Sequence, residues 1–162
     1  MPRSQSAILA RKMASVPAAL SLFRKESAPK TSDLRILLVE DDEADLYLIG
    51  RALSENTRVE EVLVARDGEE ALERLSATER LPDLAIVDLK LPRKDGFALL
   101  REFSARYPAK LPAFVLSSSR AGADVYRAKK RGALEFIAKP SNAAQLRSSI
   151  DLLIETACAA GV

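Results

Sequence analysis

Four short pieces of this 162-residue chain carry side chains that could do chemistry together. Glu40-Asp41-Asp42 closes the apolar run Ile36-Leu37-Leu38-Val39, and Asp88 closes Leu84-Ala85-Ile86-Val87. Ser117 follows Phe114-Val115-Leu116, and Lys139-Pro140 follows Glu135-Phe136-Ile137-Ala138. Neighbouring strands lie roughly 4.8 Å apart, so carboxylates at the ends of two neighbours repel unless a cation joins them. Magnesium is the fitting cation, being hard, oxygen-seeking and commonly held by one or two carboxylates with phosphate and water. A lysine at the same edge is long enough to lean toward Asp88, and a serine hydroxyl there can donate to an anion. Each piece has a plainer reading. Acids suit a helix start, serines cap helices and lysines decorate surfaces. Helix-start preference accounts for one or two of Glu40, Asp41 and Asp42. It leaves Asp88, at the end of a wholly apolar run, without a reason.

The elements that must position these residues are legible as periodicity. Leu34 to Val39, broken only by Arg35, reads as a strand buried on both faces. Leu46, Ile49 and Leu53 then recur at helical spacing. A second strand is expected over Val62 to Ala65, with a helix through Glu70, Ala71, Leu72 and Leu75. Leu84 to Val87 is the third strand, and Gly96 to Tyr107 a helix with Phe97, Leu99, Leu100 and Phe103 on its apolar face. Pro112 opens a fourth strand through Leu116, followed by a polar helix from about Ala121 to Arg131. Glu135 to Ala138 is a short fifth strand, and Asn142 to Thr156 a final helix. No hairpin signal joins consecutive strands, so they are parallel with right-handed crossovers. The expected fold is α/β: a doubly wound, flavodoxin-like sheet of five parallel strands in the order 2-1-3-4-5. That order makes strands one and three neighbours and brings Glu40-Asp41-Asp42 to Asp88.

Composition narrows the chemistry further. The chain has no histidine, which excludes a histidine-based nucleophile triad and a phosphohistidine of its own. One cysteine, Cys158, permits neither an internal disulfide nor a thiolate cluster, and a reducing, cytoplasmic setting is expected. No run approaches the roughly 20 apolar residues of a membrane span. A formal net charge of +2 is too balanced for bulk nucleic-acid binding. The charge is unevenly spread, however. Residues 1–32 carry a net +5, and the remainder a net −3. This head reads as a flexible basic extension with one short helix. Pro17 and the Phe23-Arg24-Lys25-Glu26 junction argue against a signal peptide. The expected organisation is an extension over 1–32, one domain over 33–156 and a tail over 157–162.

From Arg35 to about Thr156 the residues resemble a known family, the receiver domain of two-component response regulators. The resemblance lies in Ile36-Leu37-Leu38-Val39-Glu40-Asp41-Asp42, Ala65-Arg66-Asp67-Gly68-Glu69-Glu70-Ala71-Leu72, Pro82-Asp83-Leu84-Ala85-Ile86-Val87-Asp88, Leu91-Pro92-Arg93-Lys94-Asp95-Gly96, Leu116-Ser117-Ser118 and Gly132-Ala133-Leu134-Glu135-Phe136-Ile137-Ala138-Lys139-Pro140. It implies that Asp88 accepts a phosphoryl group from a sensor histidine kinase. Glu40 and Asp41 would hold magnesium with Asp88 and the backbone carbonyl of Lys90. Ser117 would bond the phosphoryl oxygen, Lys139 would be the site lysine, and Phe136 would occupy the aromatic switch position beside Ser117. The Leu91–Gly96 loop is similar to that of single-domain regulators that partner bacterial phytochromes, which implies a bacteriophytochrome as the kinase.

Three rival classes share parts of this pattern. A haloacid-dehalogenase-type phosphatase also forms an aspartyl phosphate, but needs an acid two residues after the nucleophile, where this chain has Lys90. A flavin carrier on the same fold would find its phosphate repelled by Glu40-Asp41-Asp42. A phosphorylation-independent module of receiver type would not need the full set Glu40, Asp41, Asp88, Ser117 and Lys139. The expectation is therefore a stand-alone signalling receiver rather than an enzyme, with no DNA-binding unit. Its output would be a changed protein-binding face on the fourth helix, fifth strand and fifth helix. That face would dock a downstream protein or phosphotransfer protein, or form a homodimer, and Tyr126, Arg127, Lys129, Lys130 and Arg131 would make it basic.

Overall fold

In the computed structural model, residues 34–162 are described, and the basic head expected over 1–32 lies outside them. Among the described residues ten elements alternate: β1 (Leu34–Val39), α1 (Glu43–Glu55), β2 (Val59–Ala65), α2 (Gly68–Ala77), β3 (Leu84–Val87), α3 (Gly96–Arg106), β4 (Ala113–Ser117), α4 (Gly122–Lys130), β5 (Ala133–Ala138) and α5 (Ala143–Ala159). The strands form one parallel sheet in the order β2-β1-β3-β4-β5, as the sequence pattern predicts.

Side-chain alternation along the central strands divides the core between the two sheet faces. Ile36, Leu38, Ile86, Phe114 and Leu116 pack with Leu46, Ile49 and Leu53 of α1 and Leu146, Ile150 and Leu153 of α5. Leu37, Val39, Val87 and Val115 point the other way, onto Ala71 and Leu75 of α2, Leu99, Leu100 and Phe103 of α3, and Ala128 of α4. Four of the five helices begin at a capping side chain: Asp42, Asp67, Asp95 and Asn142 each accept a backbone N–H of the first turn. The exception is α4, which starts after Ala121 without a side-chain cap and buries only Ala128.

β5 begins two residues before the expected Glu135, at Ala133, and the two largest departures, of three residues each, have physical reasons. β2 begins at Val59 rather than Val62, because an edge strand tolerates charges that break an apolar run. Glu61 there bonds the Arg35 Nε of β1 at 2.7 Å, while the Arg35 backbone N–H donates to Asp83 at 2.7 Å. The last helix runs to Ala159 rather than Thr156. Ala157 is buried, and Cys158 and Val162 pack against the core, so the residues set apart as a tail include the helix's closing turn.

The turn from β3 into α3 is tightly folded back. The Gly96 N–H donates to the Leu89 carbonyl at 3.1 Å. A side chain at Gly96 would press into the Asp88 carbonyl oxygen and lie 2.7 Å from the Leu89 Cα. At Gly122, by contrast, an added methyl meets no atom within 4 Å. Gly96→Ala is therefore expected to destabilise the fold by roughly 2–3 kcal/mol in urea unfolding, from forced displacement of packed backbone. Gly122→Ala should change stability by less than about 1 kcal/mol and in the stabilising direction.

Candidate functional site

Sheet register assembles the site. Val39 pairs with Val87, so the next residues, Glu40 and Asp88, leave the sheet side by side. Backbone bonds fix both: the Asp88 N–H donates to the Val39 carbonyl at 3.0 Å, and the Glu40 N–H to Ala65 at 3.0 Å. Ser117 pairs with Ala138, and the Lys139 N–H donates to the Ser117 carbonyl at 2.8 Å, which ties the ends of β4 and β5 together. Glu40, Asp88 and Ser117 are all buried, while Asp41 faces solvent.

Lys139 organises the charges. Its Nζ donates to Glu40 Oε2 at 2.7 Å, Asp45 Oδ2 at 2.7 Å and Asp88 Oδ2 at 3.1 Å. Asp88 Oδ1 in turn accepts the Lys90 N–H at 3.3 Å. Burial pushes the Glu40 carboxyl up to about 7, against the lowering effect of the Lys139 ammonium. Lys139 moves further above its ordinary value: burial opposes its charge, but its bonds to Asp45 and Glu40 outweigh that. Carboxylate oxygens of Glu40, Asp41 and Asp88 all lie within 4.8 Å of one another. That oxygen-only, partly exposed donor set fits a small hard dication with open positions for water or substrate.

Asp42 does not belong to this set. Its side chain accepts the Asp45 N–H at 2.9 Å and caps α1, the plainer role that acids at this position can take. Ser117 Oγ accepts the Ser119 N–H at 3.3 Å. Phe136 is half-buried, paired in register with Val115, and packs with the core on the α2–α4 side of the sheet. The basic residues of α4 are largely engaged. The Arg127 guanidinium lies 4.0 Å over the Phe97 ring, and Lys129 Nζ bonds Glu135 Oε1 and the Leu134 carbonyl at 2.8 Å each. Tyr126 is exposed, with Lys130 Nζ 5.6 Å over its ring.

Sequence reasoning missed two parts of the surroundings. Asp45, one turn into α1, reaches Lys139, although only its i+3 relation to the cap Asp42 is visible in the chain. Asp67 stands in the Ala65–Leu72 motif, and the sequence alone assigns it no role. It is buried, accepts the N–H groups of Glu69 and Glu70 at 2.8 and 2.9 Å, and is ion-paired with Arg93. Arg93 itself takes a φ of 58°, a left-handed conformation costing a non-glycine residue roughly 1–2 kcal/mol. The Gly68 N–H donates to the Lys94 carbonyl at 3.3 Å. The loop that leaves Asp88 is thus tied down to the start of α2.

With this geometry established, comparison with known proteins defines the class. The response regulator receiver domain model matches residues 36–151, and the chain belongs to that family. Over 107 residues it is 40% identical to protein-glutamate methylesterase/protein-glutamine glutaminase 6 of Anaeromyxobacter dehalogenans, covering 66% of this chain and 29% of that protein. The chain spans about a third of the length of the curated relatives it matches. Its structure is similar to that of the phosphorylated cyanobacterial phytochrome response regulator RcpA, with a TM-score of 0.70 and 35% identity over 76% of this chain and 92% of RcpA. The Mn²⁺-bound response regulator Rcp1 gives a TM-score of 0.67 and 29% identity over 74% and 91% of the two chains. Among the described residues, no helix is long and apolar enough to cross a membrane.

The loop restraint yields a pH prediction. The Asp67 carboxyl sits below its ordinary value of 3.8: burial pushes it up, but the Glu70 N–H, the Arg93 guanidinium and the Glu69 N–H together outweigh that. A depressed acid contributes stability that is fully present above its unfolded value and lost as pH falls through the folded one. Asp67→Ala should therefore cost about 1–2 kcal/mol at pH 7, from the lost cap and ion pair. In urea unfolding, the gap from wild type should narrow as pH drops below 3.8.

Proposed function

We propose that this chain accepts one phosphoryl group on Asp88 from the phosphohistidine of a sensor histidine kinase and signals by a phosphorylation-dependent change of a protein-binding surface. The observation that carries this reading is the meeting of Glu40, Asp41 and Asp88 carboxylate oxygens within 4.8 Å, with Lys139 Nζ 3.1 Å from Asp88. Phosphoryl transfer passes through a loose transition state, so the protein's task is positioning and charge stabilisation. An Asp88 carboxylate oxygen attacks phosphorus in line as the P–N bond breaks, and the departing imidazole keeps the electron pair. Asp88 becomes a mixed anhydride. Lys139 holds the charge developing on the phosphoryl oxygens, and the Ser117 hydroxyl donates to one of them after transfer. Magnesium, held by Glu40, Asp41, Asp88 and the Lys90 backbone carbonyl, would supply further neutralisation of those oxygens.

Phosphorylation adds charge beside Ser117, and Phe136 moves with it, changing the face built from α4, β5 and α5. That face docks a downstream protein or phosphotransfer protein, or a second copy of the chain. The chain acts in the cytoplasm as a signalling receiver rather than an enzyme, without contacting DNA, and a bacteriophytochrome is the kinase its Leu91–Gly96 loop points to.

Acetyl phosphate with Mg²⁺ should add one phosphoryl group, seen by intact mass, and Asp88→Asn should abolish it. Undiminished labelling of that variant would assign the acceptor elsewhere. Asp41→Ala should remove the magnesium dependence of labelling, while Asp42→Ala, which only uncaps α1, should retain it at the cost of about 1 kcal/mol in stability. The reverse ranking would place the metal on the wrong acid.

A further inference from the structure

Lys139 is the first residue after β5, at one edge of the sheet, yet its ammonium reaches Glu40 at the end of β1, with β3 and β4 between. An ammonium on a four-carbon stem is flexible, and a stabilising charge is worth most when fixed before the reaction begins. Its three N–H groups have three acceptors here. The two short bonds, 2.7 Å each, go to Glu40 and Asp45, and the longer one, 3.1 Å, goes to Asp88. Glu40 is a component of the site. Asp45 is not: it lies on α1, and its side chain is 37% exposed where that of Lys139 is 9%. An ion pair with one partner so exposed adds little to stability. What it adds is direction. With two N–H groups held by Glu40 and Asp45, the third is aimed at Asp88, where phosphoryl oxygens gather charge during transfer.

We propose that Asp45 is a positioning residue for phosphoryl transfer, holding the Lys139 ammonium from the α1 side so that its third N–H faces Asp88. This rests on Asp88 being the phosphoacceptor. Asp45 can be replaced without loss of the helix start, because Asp42 caps the Asp45 backbone N–H rather than its side chain.

The test measures the initial rate of phosphorylation by acetyl phosphate and Mg²⁺ over a range of donor concentrations, for wild type, Asp45→Ala, Asp45→Asn, Asp45→Glu, Lys139→Ala and the Asp45→Ala/Lys139→Ala pair. Asp45→Ala should lower the saturating rate about tenfold, the scale of a modest misplacement of a catalytic group, with little change in the donor concentration at half-saturation. Asp45→Asn, which keeps an acceptor oxygen, should fall between Asp45→Ala and wild type, and Asp45→Glu should recover most of the loss. In the Lys139→Ala background, Asp45→Ala should change nothing further, because its effect passes through the lysine. A wild-type or faster rate for both Asp45→Ala and Asp45→Asn would overturn the proposal, as would an equal loss with Lys139 absent. If wild type itself takes no phosphoryl group, the failure lies in the assignment of Asp88.

Discussion

One ammonium group holds the working edge of this sheet together. Parallel register forces Glu40 and Asp88 out of the sheet side by side, and both are buried, an arrangement that two carboxylates alone would resist. Lys139 resolves it from the end of the edge strand β5, two strands from β3 and three from β1, bonding both. The consequence reaches back into the fold. Lys139 can be there only if β5 ends level with β4, which the bond from its N–H to the Ser117 carbonyl enforces. Strand order, strand length and the charge of one side chain are therefore a single constraint seen at three scales. The same bonds compensate the buried charge and fix an ammonium beside Asp88.

The surroundings divide the labour between rigid and adjustable parts. β1, β3 and β4 are almost entirely buried, and they carry Glu40, Asp88 and Ser117 at their ends. The loop after Asp88 is irregular, yet it is restrained twice: at its close by Gly96, folded against the Asp88 carbonyl, and within it by the Asp67–Arg93 ion pair across to α2. A loop that contributes backbone groups to a site must hold its shape without a regular hydrogen-bond ladder. Asp67 supplies that hold by serving two ends at once, as the cap of one helix and the counterion of the neighbouring loop.

The fold was legible in the chain because the central strands are uninterrupted apolar runs and the helices between them keep their period. The core acids, Ser117 and Lys139 were legible for the same reason: each stands where an apolar run stops. The departures lie where polarity mixes with structure. β2 reaches beyond its apolar run because Glu60 and Glu61 sit on an edge strand that accommodates charge. Asp45 is not legible as a site residue because an acid in the first turn of a helix already has a sufficient local reason to be there. Its bond to Lys139 spans 94 residues and becomes visible only when the sheet is assembled. The Asp67–Arg93 pair is hidden in the same way, since neither residue lies at the end of an apolar strand.

The helix α4 has a different character from its neighbours. It has nine residues, no side-chain cap and one buried side chain, and it is held to α3 by Arg127 and Arg131 over the Phe97 ring and by the Ser104 hydroxyl on the Arg131 carbonyl. With so little buried apolar surface, it is the helix expected to open at the lowest free-energy cost while the central strands stay closed. On that expectation, conformers with α4 loosened and the sheet intact are the first departures from the native arrangement. A small local event at the strand edge need not deform a rigid body to be felt outside; it has only to reweight populations that thermal motion already visits.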